Sequence, residues 1–415
     1  MTTAQTTVNR YPPAVLMLAY TNYETDPRVI RAAEAAVEAG FVVDFVALRR
    51  QGQPEVETVR GVRVLRVRQE RYRGRHRLGY VWAYLTFFLR CALWSTWLYA
   101  TRRYRVVHVN NMPDVLVFAV LVPRLLGARV ILDIHDPMPE TLGAKYGDDG
   151  RKLLYRMLLS MERLSVAFAS KTVTVNDPVR DEILLKRGYD PNRIGVIANF
   201  ADDRLFTVIP SSPIEQHVRC VFHGTILRRY GLGTLVEAVS KIKYRDKLRI
   251  RIIGEGDFSS TLRELIATHG VGDVIDFDNR VYPLHEIPKL LSDCHVGLVP
   301  LDVTPISDYA LPLKLIEYTC LGLPSITVSS TAIRYYMHPD ECLLFSPGDS
   351  QELADRLDLI AEDPTRLDAY RLRLPLARER MSWTREKAKY VEMLRALAGL
   401  AEVSQAQTGA PHEVQ

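Results

Sequence analysis

The feature that most constrains this chain is a repeated order of short apolar runs and helical patterns. Six runs in the first half are apolar almost throughout, as in strands that a sheet buries on both faces. They are VLMLAY (15–20), VVDFVAL (42–48), VVHVNN (106–111), RVILDIHD (129–136), KTVTVN (171–176) and IGVIAN (194–199). Helical patterns such as 26–40, which ends on Gly40, separate them. This order predicts a parallel, doubly wound α/β sheet.

A second series of the same kind begins near residue 218. Its runs are VRCVFHGTI (218–226), LRIRIIGEG (248–256), VIDFDNRV (274–281), HVGLVPL (295–301), PSITVSS (324–330) and CLLFSP (342–347). A chain of 415 residues is expected to form two domains. The predicted parts are a Rossmann-like domain (1–200), a linker (201–216), a second Rossmann-like domain (217–383), a helix packing back on the first domain (384–401) and a disordered tail (402–415). Ligand is expected in a cleft at the carboxyl ends of both sheets.

Composition narrows the class of protein. Lys and Arg number 54 against 49 Asp and Glu, and a net charge of +5 on so long a chain does not indicate nucleic-acid binding. The five cysteines are widely spaced and form no C-x-x-C pair, which argues against a zinc or disulfide framework and for a reducing, cytoplasmic compartment. The first apolar run, 14–19, follows a polar lead and predicts a strand rather than a signal peptide.

One stretch, ALPLKLIEYTCLGLPSITV (310–328), places Lys314 and Glu317 in an otherwise apolar helix and strand. Positions three apart lie on one helix face, so both side chains can point into the same cleft. Two interpretations are open here. One is an ion pair at the edge of the core, and the other is a ligand site that needs a cation for one group and a carboxylate for another.

Six segments in a fixed order carry a family resemblance. They are TDPRVIRAAEAAVEAGFVV, LDIHDPMPE, FHGTILRRYGL, IIGEG, VGLVPL and LPLKLIEYTCLGLPSI. Together they resemble the retaining GT-B glycosyltransferases of family 4, over about residues 14–400. The resemblance implies two Rossmann-like domains facing each other across a cleft. It also implies transfer of a hexose from a UDP- or GDP-linked sugar to an acceptor hydroxyl, without a metal or cofactor, in the synthesis of a glycan, an exopolysaccharide or a glycolipid.

The resemblance also assigns residues to the donor. Glu317 matches the second glutamate of the family's E-x7-E motif, whose two oxygens accept hydrogen bonds from the ribose hydroxyls. Lys314, one turn earlier, is expected on the phosphate side, where negative charge develops on the leaving group. The other groups expected around the diphosphate are Arg228, Arg229, the turn at Gly224, and the helix start at Ala310 and Leu311.

The match departs from the family motif at two positions. Tyr309 stands where the motif has its first glutamate, which binds donor-sugar hydroxyls, and Thr225 stands where many members have arginine. Asp308 is a candidate to take over the hydroxyl contact, and Arg229 is a candidate to take over the phosphate contact.

Candidates in the first domain lie near the ends of its apolar runs. His135 in DIHD resembles the family histidine beside the transferred sugar and is expected to act in catalysis with Arg229 and Lys314; a structural histidine is the alternative. Asp136 and Glu140 follow on the acceptor side, with Glu140 either orienting the loop or meeting the acceptor. Arg28, after the predicted N-cap Asp26, is a cleft cation or a solvated residue of the first turn.

A basic and then apolar region hints at the acceptor. Between residues 60 and 77 lie Glu70 and eight arginines: Arg60, Arg63, Arg66, Arg68, Arg71, Arg73, Arg75 and Arg77. The apolar stretch that follows, 78–100, contains Arg90, which favours a buried or interfacial helix over a membrane span. A basic, aromatic-rich edge is suited to binding the anionic lipids on the inner face of a membrane. A solvated arginine strand beside a core helix is the alternative.

Two other functions stay open. One is a nucleotide-sugar epimerase with the same two domains, and the other is a nucleotide-sugar-binding protein without turnover. The presence of Glu317, His135 and the pair Arg228 and Arg229 counts against the binding protein. A nicotinamide dehydrogenase is disfavoured, because no G-x-G-x-x-G follows a strand of the first domain.

Overall fold

A computed structural model describes residues 12–72, 76–143 and 148–400. The chain forms two compact units, and each is described by itself. Unit 1 comprises the chain up to Val175, Gly188–Ile197 and the chain from Lys387 onward, and unit 2 comprises Asn176–Arg187 and Ala198–Glu386. The tail predicted at 402–415 lies outside the described residues.

Unit 1 is built on an eight-stranded sheet. Its strands are β1 (Ala14–Leu18), β2 (Val42–Leu48), β3 (Val56–Val59), β4 (Val62–Val67), β5 (Val106–Asn110), β6 (Arg129–Ile134), β7 (Lys171–Thr174) and β8 (Ile194–Val196). Their order is β3-β4-β2-β1-β5-β6-β7-β8, and every neighbouring pair is parallel except β3 with β4. β1 and β5 are buried at every residue, as expected of strands in the middle of a covered sheet.

The helices of unit 1 connect these strands. They are α1 (Pro27–Glu38), α2 (Arg77–Thr101), α3 (Leu121–Leu125), α4 (Met138–Gly143) and α5 (Asp148–Phe168), with 3₁₀ helices at Tyr23–Thr25 and Asp114–Val120. The carboxylate of Asp26 accepts the backbone N–H of Arg28, which confirms the predicted N-cap of α1. Both α2 and α5 pack against the 3₁₀ helix Asp114–Val120. In the described ranges, no helix has the length and apolar character needed to cross a membrane.

Unit 2 has a six-stranded sheet in which all neighbouring strands are parallel. The strands are β9 (Val218–His223), β10 (Leu248–Ile253), β11 (Ile275–Asp278), β12 (Val296–Val299), β13 (Ser325–Val328) and β14 (Leu343–Phe345), in the order β11-β10-β9-β12-β13-β14. Its core contains Phe222, Leu298, Ile316 and Phe345, each at most about 1% exposed.

The helices of the second half follow in chain order. They are α6 (Leu232–Lys241), α7 (Ser259–Thr268), α8 (Ile287–Leu290), α9 (Leu313–Leu321), α10 (Thr331–Tyr336), α11 (Ser350–Glu362), α12 (Arg366–Arg380) and α13 (Trp383–Leu397), with 3₁₀ helices at Arg228–Tyr230, Arg245–Lys247, Leu284–Glu286 and Ser307–Tyr309. The segment Val179–Leu184 is a π-helix, followed by a 3₁₀ turn at Leu185–Arg187.

All twelve predicted runs contain a strand, so the two doubly wound sheets are confirmed. The hairpin of β3 and β4 was not predicted, although VRVLRV at residues 62–67 is rich in valine, as strands are. Arg63 and Arg66 masked this signal, because they suggested a solvated stretch.

This hairpin gives four arginines of the expected basic edge carboxylate partners. The ion pairs join Arg60 to Glu34, Arg63 to Asp44, Arg66 to Glu24 and Glu57, and Arg68 to Glu55. Carboxylates therefore pair with these four arginines, and the expected membrane contact of residues 60–77 stays a prediction. Arg73, Arg75 and the side chain of Arg77 lie outside the described part of the chain.

Each sheet has a point where the strand order reverses. In unit 1 it lies between β1 and β5, and in unit 2 between β9 and β12. Ligands of open α/β sheets bind beyond the carboxyl ends of the strands at such points. The two candidate sites are therefore sought after β1 and β5 in unit 1 and after β9 and β12 in unit 2.

Candidate functional site

The helix α9 carries the charged pair of unit 2. It begins after Pro312, which has no backbone N–H to donate to a preceding turn. It ends at Gly322, whose φ of 75° favours glycine. Every residue from Lys314 to Leu321 is buried, including both charged residues. Burial of two charges on a short helix needs a specific partner for each of them.

The Lys314 ammonium lacks a hydrogen-bond partner among the described residues. Its Nζ lies 3.5 Å from the ring centroid of Phe222 and 4.2 Å from that of Tyr230, so two aromatic faces take the place of solvent. Burial lowers the pKa of Lys314 to about 7, with Arg229 acting in the same direction and Glu317 opposing it. A buried cation without a hydrogen-bond partner among the described residues makes this helix a candidate ligand site.

Glu317 has a different partner. Nε2 of His223, the last residue of β9, lies 2.6 Å from Oε2 of Glu317. The other ring nitrogen of His223 lies 3.0 Å from the hydroxyl of Tyr318, which donates to the carbonyl oxygen of Val221. The carboxylate is therefore held by an imidazole that is itself fixed by a tyrosine.

Lys314 and Glu317 do not pair with each other. No salt bridge between them occurs in the described structure, and their nearest groups are the aromatic rings and His223, respectively. The interpretation of these residues as an ion pair at the core edge is therefore wrong. The cation and the carboxylate are therefore buried beside separate groups, the two aromatic rings and His223.

Glycines shape the turn that faces Lys314. Gly224, which follows β9, has a φ of 114°, and an added Cβ would lie 3.9 Å from Nζ of Lys314. Gly254, after β10, has a φ of 143°, and an added Cβ would lie 1.8 Å from the carbonyl oxygen of Gly224. Glycine is therefore required at Gly254 for the two turns to meet.

Further cations and backbone donors border this turn. Thr225, Arg228 and Arg229 are exposed, and the guanidinium of Arg229 lies 5.3 Å from the ring centroid of Tyr230, one of the two rings beside Lys314. Pro312 provides no side-chain cap, and among the first three N–H groups of α9 that of Leu315 donates to the carbonyl oxygen of Pro312. Arginines and a helix amino terminus together form an environment suited to an anion.

Asp308 has a structural role that the sequence did not predict. Its Oδ1 accepts the backbone N–H of Thr331 at 2.8 Å, and its Oδ2 accepts the Thr331 hydroxyl at 2.6 Å. Both oxygens therefore tie the segment before α9 to the start of α10, instead of standing free for a sugar hydroxyl. The backbone carbonyl of the neighbouring Tyr309 accepts a hydrogen bond from Asn176.

In unit 1, the residues after β1, β5 and β6 enclose a cavity of about 110 Å³. The polar residues that line it include Thr21, Asp26, Arg28, Asn111, His135 and Asp136. The structure thus brings Arg28, His135 and Asp136 together. Glu140 is not among the lining residues, and one of its oxygens accepts the hydroxyl of Tyr155 at 3.3 Å.

Arg28 is a cavity cation with a fixed orientation. Its guanidinium donates to both oxygens of Asp26, at 2.9 and 3.1 Å. Burial opposes the charged form of Arg28, but Asp26, Asp136 and Asp133 raise its pKa above the ordinary value. Arg71 also lines this cavity. The cavity is therefore polar and contains charges of both signs.

His135 belongs to a buried network that the sequence analysis missed. Its Nε2 lies 3.0 Å from Oδ2 of Asp133, which also lies 3.3 Å from Nε2 of His108. Nδ1 of His108 lies 2.8 Å from the hydroxyl of Tyr390 on α13. Burial favours the protonated form of Asp133, but the imidazoles of His135 and His108 hold its pKa well below the ordinary value.

Asn111 fixes the backbone of the same turn. Its Oδ1 accepts the N–H of His135 at 2.8 Å, and its Nδ2 donates to the carbonyl oxygen of Asp136 at 2.8 Å. The order D-I-H places Asp133 and His135 on one face of β6 and its continuation, and could have indicated their contact. His108, Asn111 and Tyr390 come from distant segments and carried no such local signal.

Two family models match the chain. The Glycosyl transferase 4-like domain matches residues 25–199, and Glycosyl transferases group 1 matches residues 210–374. The chain belongs to the glycosyl transferases group 1 family. It is a glycosyltransferase of the GT-B fold, in a family of retaining, metal-independent enzymes.

Relatives and solved structures agree with this group 1 membership. WcaL of Escherichia coli, a proposed colanic acid biosynthesis glycosyltransferase, is 26% identical over 177 residues, which cover 42% of this chain and only 43% of WcaL. An uncharacterized glycosyltransferase of Methanocaldococcus jannaschii is 23% identical over 369 residues, which cover 84% of this chain and 90% of that protein.

Two solved structures show the fold. Sucrose-phosphate synthase from Thermosynechococcus elongatus has a TM-score of 0.71 and 18% identity, over 93% of this chain and 99% of that chain. Anabaena HepE in complex with UDP-glucose has a TM-score of 0.65 and 15% identity, over 92% of this chain and 99% of that chain. These likenesses identify the group 1 chain as a two-sheet GT-B protein.

Proposed function

We propose that this group 1 enzyme transfers a hexose from a nucleotide diphosphate sugar to an acceptor hydroxyl, with retention of configuration, in the synthesis of a glycan, an exopolysaccharide or a glycolipid. The observation that carries the proposal is the buried Lys314 ammonium without a hydrogen-bond partner among the described residues. It lies on the same helix as a carboxylate that His223 orients. A nucleotide diphosphate has the two matching groups, an anionic diphosphate and a ribose with two neighbouring hydroxyls.

The chemistry of transfer explains the arrangement in unit 2. Negative charge grows on the diphosphate as the glycosidic bond breaks, and cations that are already in place stabilise it. Lys314, Arg228, Arg229 and the amino end of α9 provide this stabilisation without a metal ion. Glu317 holds the ribose through its oxygens. The backbone of Ala310 and Leu311 precedes the helix, and we assign it to the diphosphate end of the donor.

Unit 1 supplies the groups for the acceptor side. His135, Arg28 and Asp136 line its cavity, where we assign them to the hydroxyls of the transferred sugar and of the acceptor. The acceptor hydroxyl attacks the sugar on the face from which the diphosphate departs. We assign the proton of this hydroxyl to the β-phosphate of the leaving group. The protein then contributes orientation and charge stabilisation, without a side-chain nucleophile.

Several findings support this function. HepE binds UDP-glucose in its solved structure, and WcaL is a proposed enzyme of colanic acid biosynthesis. The five cysteines are free and buried, in keeping with a reducing, cytoplasmic location. UDP- and GDP-linked hexoses are therefore the donors to test first.

A donor screen tests the proposal directly. The protein is melted in the presence of UDP- and GDP-linked hexoses, and a donor at 100 times its dissociation constant should add roughly 2.7 kcal/mol to the free energy of unfolding. The stabilising donor is then incubated with acceptor sugars, and the products are separated. A new glycoside supports the transferase. An altered free nucleotide sugar would identify an epimerase, and binding without any product would identify a binding protein.

A further inference from the structure

Helix α2 is apolar on all sides, but only one side of it is covered. Ala83, Phe87, Cys91 and Leu98 face the core and are at most 8% exposed. The opposite side exposes Leu78, Val81, Trp82, Leu85, Leu89, Leu93 and Trp97. A helix that is hydrophobic all round belongs in an apolar environment on every side, so the exposed side lacks its partner.

These exposed residues form one continuous stripe. Their spacing of three or four residues places them on the same face of the helix. The stripe runs from Leu78, which is 82% exposed, to Trp97, which is 60% exposed, over roughly 28 Å at 1.5 Å per residue. Arg90 is half-buried beside the stripe, and its guanidinium donates to the backbone carbonyl of Arg68. The arginine inside the apolar stretch therefore does not interrupt the exposed stripe.

Two neighbouring helices extend the apolar surface. Both α3 and the 3₁₀ helix Asp114–Val120 pack against α2, and α5 packs against the same 3₁₀ helix. They expose Leu121, Val122, Leu125 and Leu126 around α3, and Leu153, Met157, Met161 and Leu164 on α5. We call the exposed side chains of α2, α3 and α5 together the apolar face. Exposed apolar surface of this extent marks an interaction site.

The exposed charges described on the helices of the apolar face are positive. Neither α2 nor α3 contains a carboxylate in its sequence, Glu162 on α5 is fully buried, and the side chains of Asp148 and Asp149 at the start of α5 lie outside the described ones. Lys152, Arg156 and Arg163 of α5 are exposed. Among the described side chains of these helices, the exposed charges are therefore positive, which is complementary to an anionic surface.

A second copy of the chain fits this surface poorly. A two-fold dimer would bring the same face of each protomer together and place cations opposite cations. Segments 1–11 and 401–415 contain few large apolar residues, so their sequences do not match an apolar surface of this size. An anionic lipid membrane satisfies both features, because acyl chains accept the apolar side chains and headgroups accept the cations. Trp82 and Trp97 suit the boundary between the two.

We propose that the apolar face docks unit 1 on an anionic membrane, with α2 lying in the plane of the interface. The amino end of α2 is close to the unit 1 cavity, because Arg71 lines that cavity and the backbone N–H of Tyr72 donates to the hydroxyl of Tyr20. This docking brings the cavity to the level of the lipid headgroups. The cavity would then take a lipid-linked acceptor, an assignment that rests on the proposed transferase function.

Vesicle flotation tests the docking independently of turnover. The full chain is mixed with vesicles of phosphatidylcholine alone or with added phosphatidylglycerol. We expect binding to the anionic vesicles that weakens as salt rises from roughly 0.1 M to 1 M, where the Debye length falls from about 10 Å to about 3 Å. No binding to either vesicle would overturn the proposal.

Two variants separate the apolar and the charged contributions. The apolar variant carries Trp82→Ser, Leu89→Ser and Trp97→Ser, and the charge variant carries Lys152→Ser, Arg156→Ser and Arg163→Ser. The matched controls in unit 2 carry Val281→Ser, Leu372→Ser and Leu376→Ser, or Arg263→Ser, Lys289→Ser and Arg385→Ser, all at exposed positions.

The expected result is a loss of at least tenfold in anionic-vesicle affinity for both variants, with the controls unchanged and nucleotide affinity retained in all of them. The charge variant should also lose most of the salt dependence. Equal vesicle binding by variants and parent would overturn the proposal. So would a parent dimer that the apolar variant dissociates, because the face would then be an interface between two copies.

Discussion

Nε2 of His223 lies 2.6 Å from Oε2 of Glu317, and this contact joins the end of β9 to the middle of α9. Among the described residues, hydrogen bonds reach only Oε2 of this carboxylate, so Oε1 is available to a ligand. The same histidine is fixed from behind by Tyr318. The carboxylate is thus oriented before any ligand arrives, which reduces the entropy lost on binding.

Removing this orientation should weaken nucleotide binding. His223→Phe keeps a ring of similar size but loses both nitrogen contacts, so Glu317 is free to turn away from the ribose. We expect nucleotide affinity to fall by roughly tenfold, the effect of one lost charged hydrogen bond. Titration calorimetry with UDP and GDP measures it. His285→Phe, at an exposed histidine of unit 2, is the control and should bind as the parent does.

Binding of the donor should be coupled to the uptake of a proton by Lys314. Its pKa is lowered to about 7 by burial, and an anionic diphosphate beside the ammonium should raise it again. At pH 8 the free protein therefore has mostly neutral Lys314, and binding a nucleotide sugar should take up about one proton, falling to none below about pH 6. Calorimetry in two buffers of different ionisation enthalpy measures the uptake. A nucleotide sugar is used because its phosphates do not titrate in this range.

The same residue sets a stability trend in the unliganded protein. A lysine with a lowered pKa in the folded state binds fewer protons there than in the unfolded state between about pH 7 and pH 10.5. Its contribution therefore makes the free energy of unfolding rise with pH across this window. Lys314→Met should remove both this pH dependence and the proton uptake. Proton uptake by the Met variant equal to that of the parent would show that another group titrates.

Asp133 should act through His135. Asp133→Asn keeps the shape of the side chain but removes the charge beside Nε2 of His135 and Nε2 of His108. We expect kcat to fall by roughly ten- to a hundredfold with a changed pH profile, while nucleotide affinity in unit 2 stays the same. Thr172→Ser, at another buried residue of this sheet, is the control for packing. A loss of stability with an unchanged pH profile would assign Asp133 a structural role only.

Turnover should survive removal of divalent metal ions. Lys314, the two neighbouring arginines and the amino end of α9 provide the positive charge that a metal would otherwise contribute. Activity is measured with the stabilising donor in the presence of EDTA and again after Mg²⁺ or Mn²⁺ is added. Complete loss in EDTA that only a metal ion restores would require a different account of the diphosphate site.

The sequence was sufficient for the two sheets because a buried parallel strand has a strong local signal. It was insufficient for the β3–β4 hairpin, where Arg63 and Arg66 interrupt an apolar strand and pair with buried or half-buried carboxylates from other segments. Such ion pairs depend on residues far apart in the chain, and local polarity alone suggested a solvated stretch.

The sites show the same limit. The spacing of Lys314 and Glu317 identified the charged helix face, but only the fold shows that they have different partners. Asp308 resembled a substitute for a missing glutamate, whereas the chain folds so that Thr331 occupies both its oxygens. The Tyr390 hydroxyl reaches His108 from the last helix, a contact across 282 residues that no local pattern indicates.

The most direct test of the donor site is the nucleotide affinity of Glu317→Ala, measured by titration calorimetry beside Glu264→Ala, a control at an exposed glutamate of unit 2. We expect Glu317→Ala to stay folded and to lose roughly 1 to 3 kcal/mol of binding free energy, because the ribose hydroxyls lose their acceptor. The control should bind like the parent. A folded Glu317→Ala protein with the affinity of the parent would contradict the assignment of α9 as the nucleotide-binding helix.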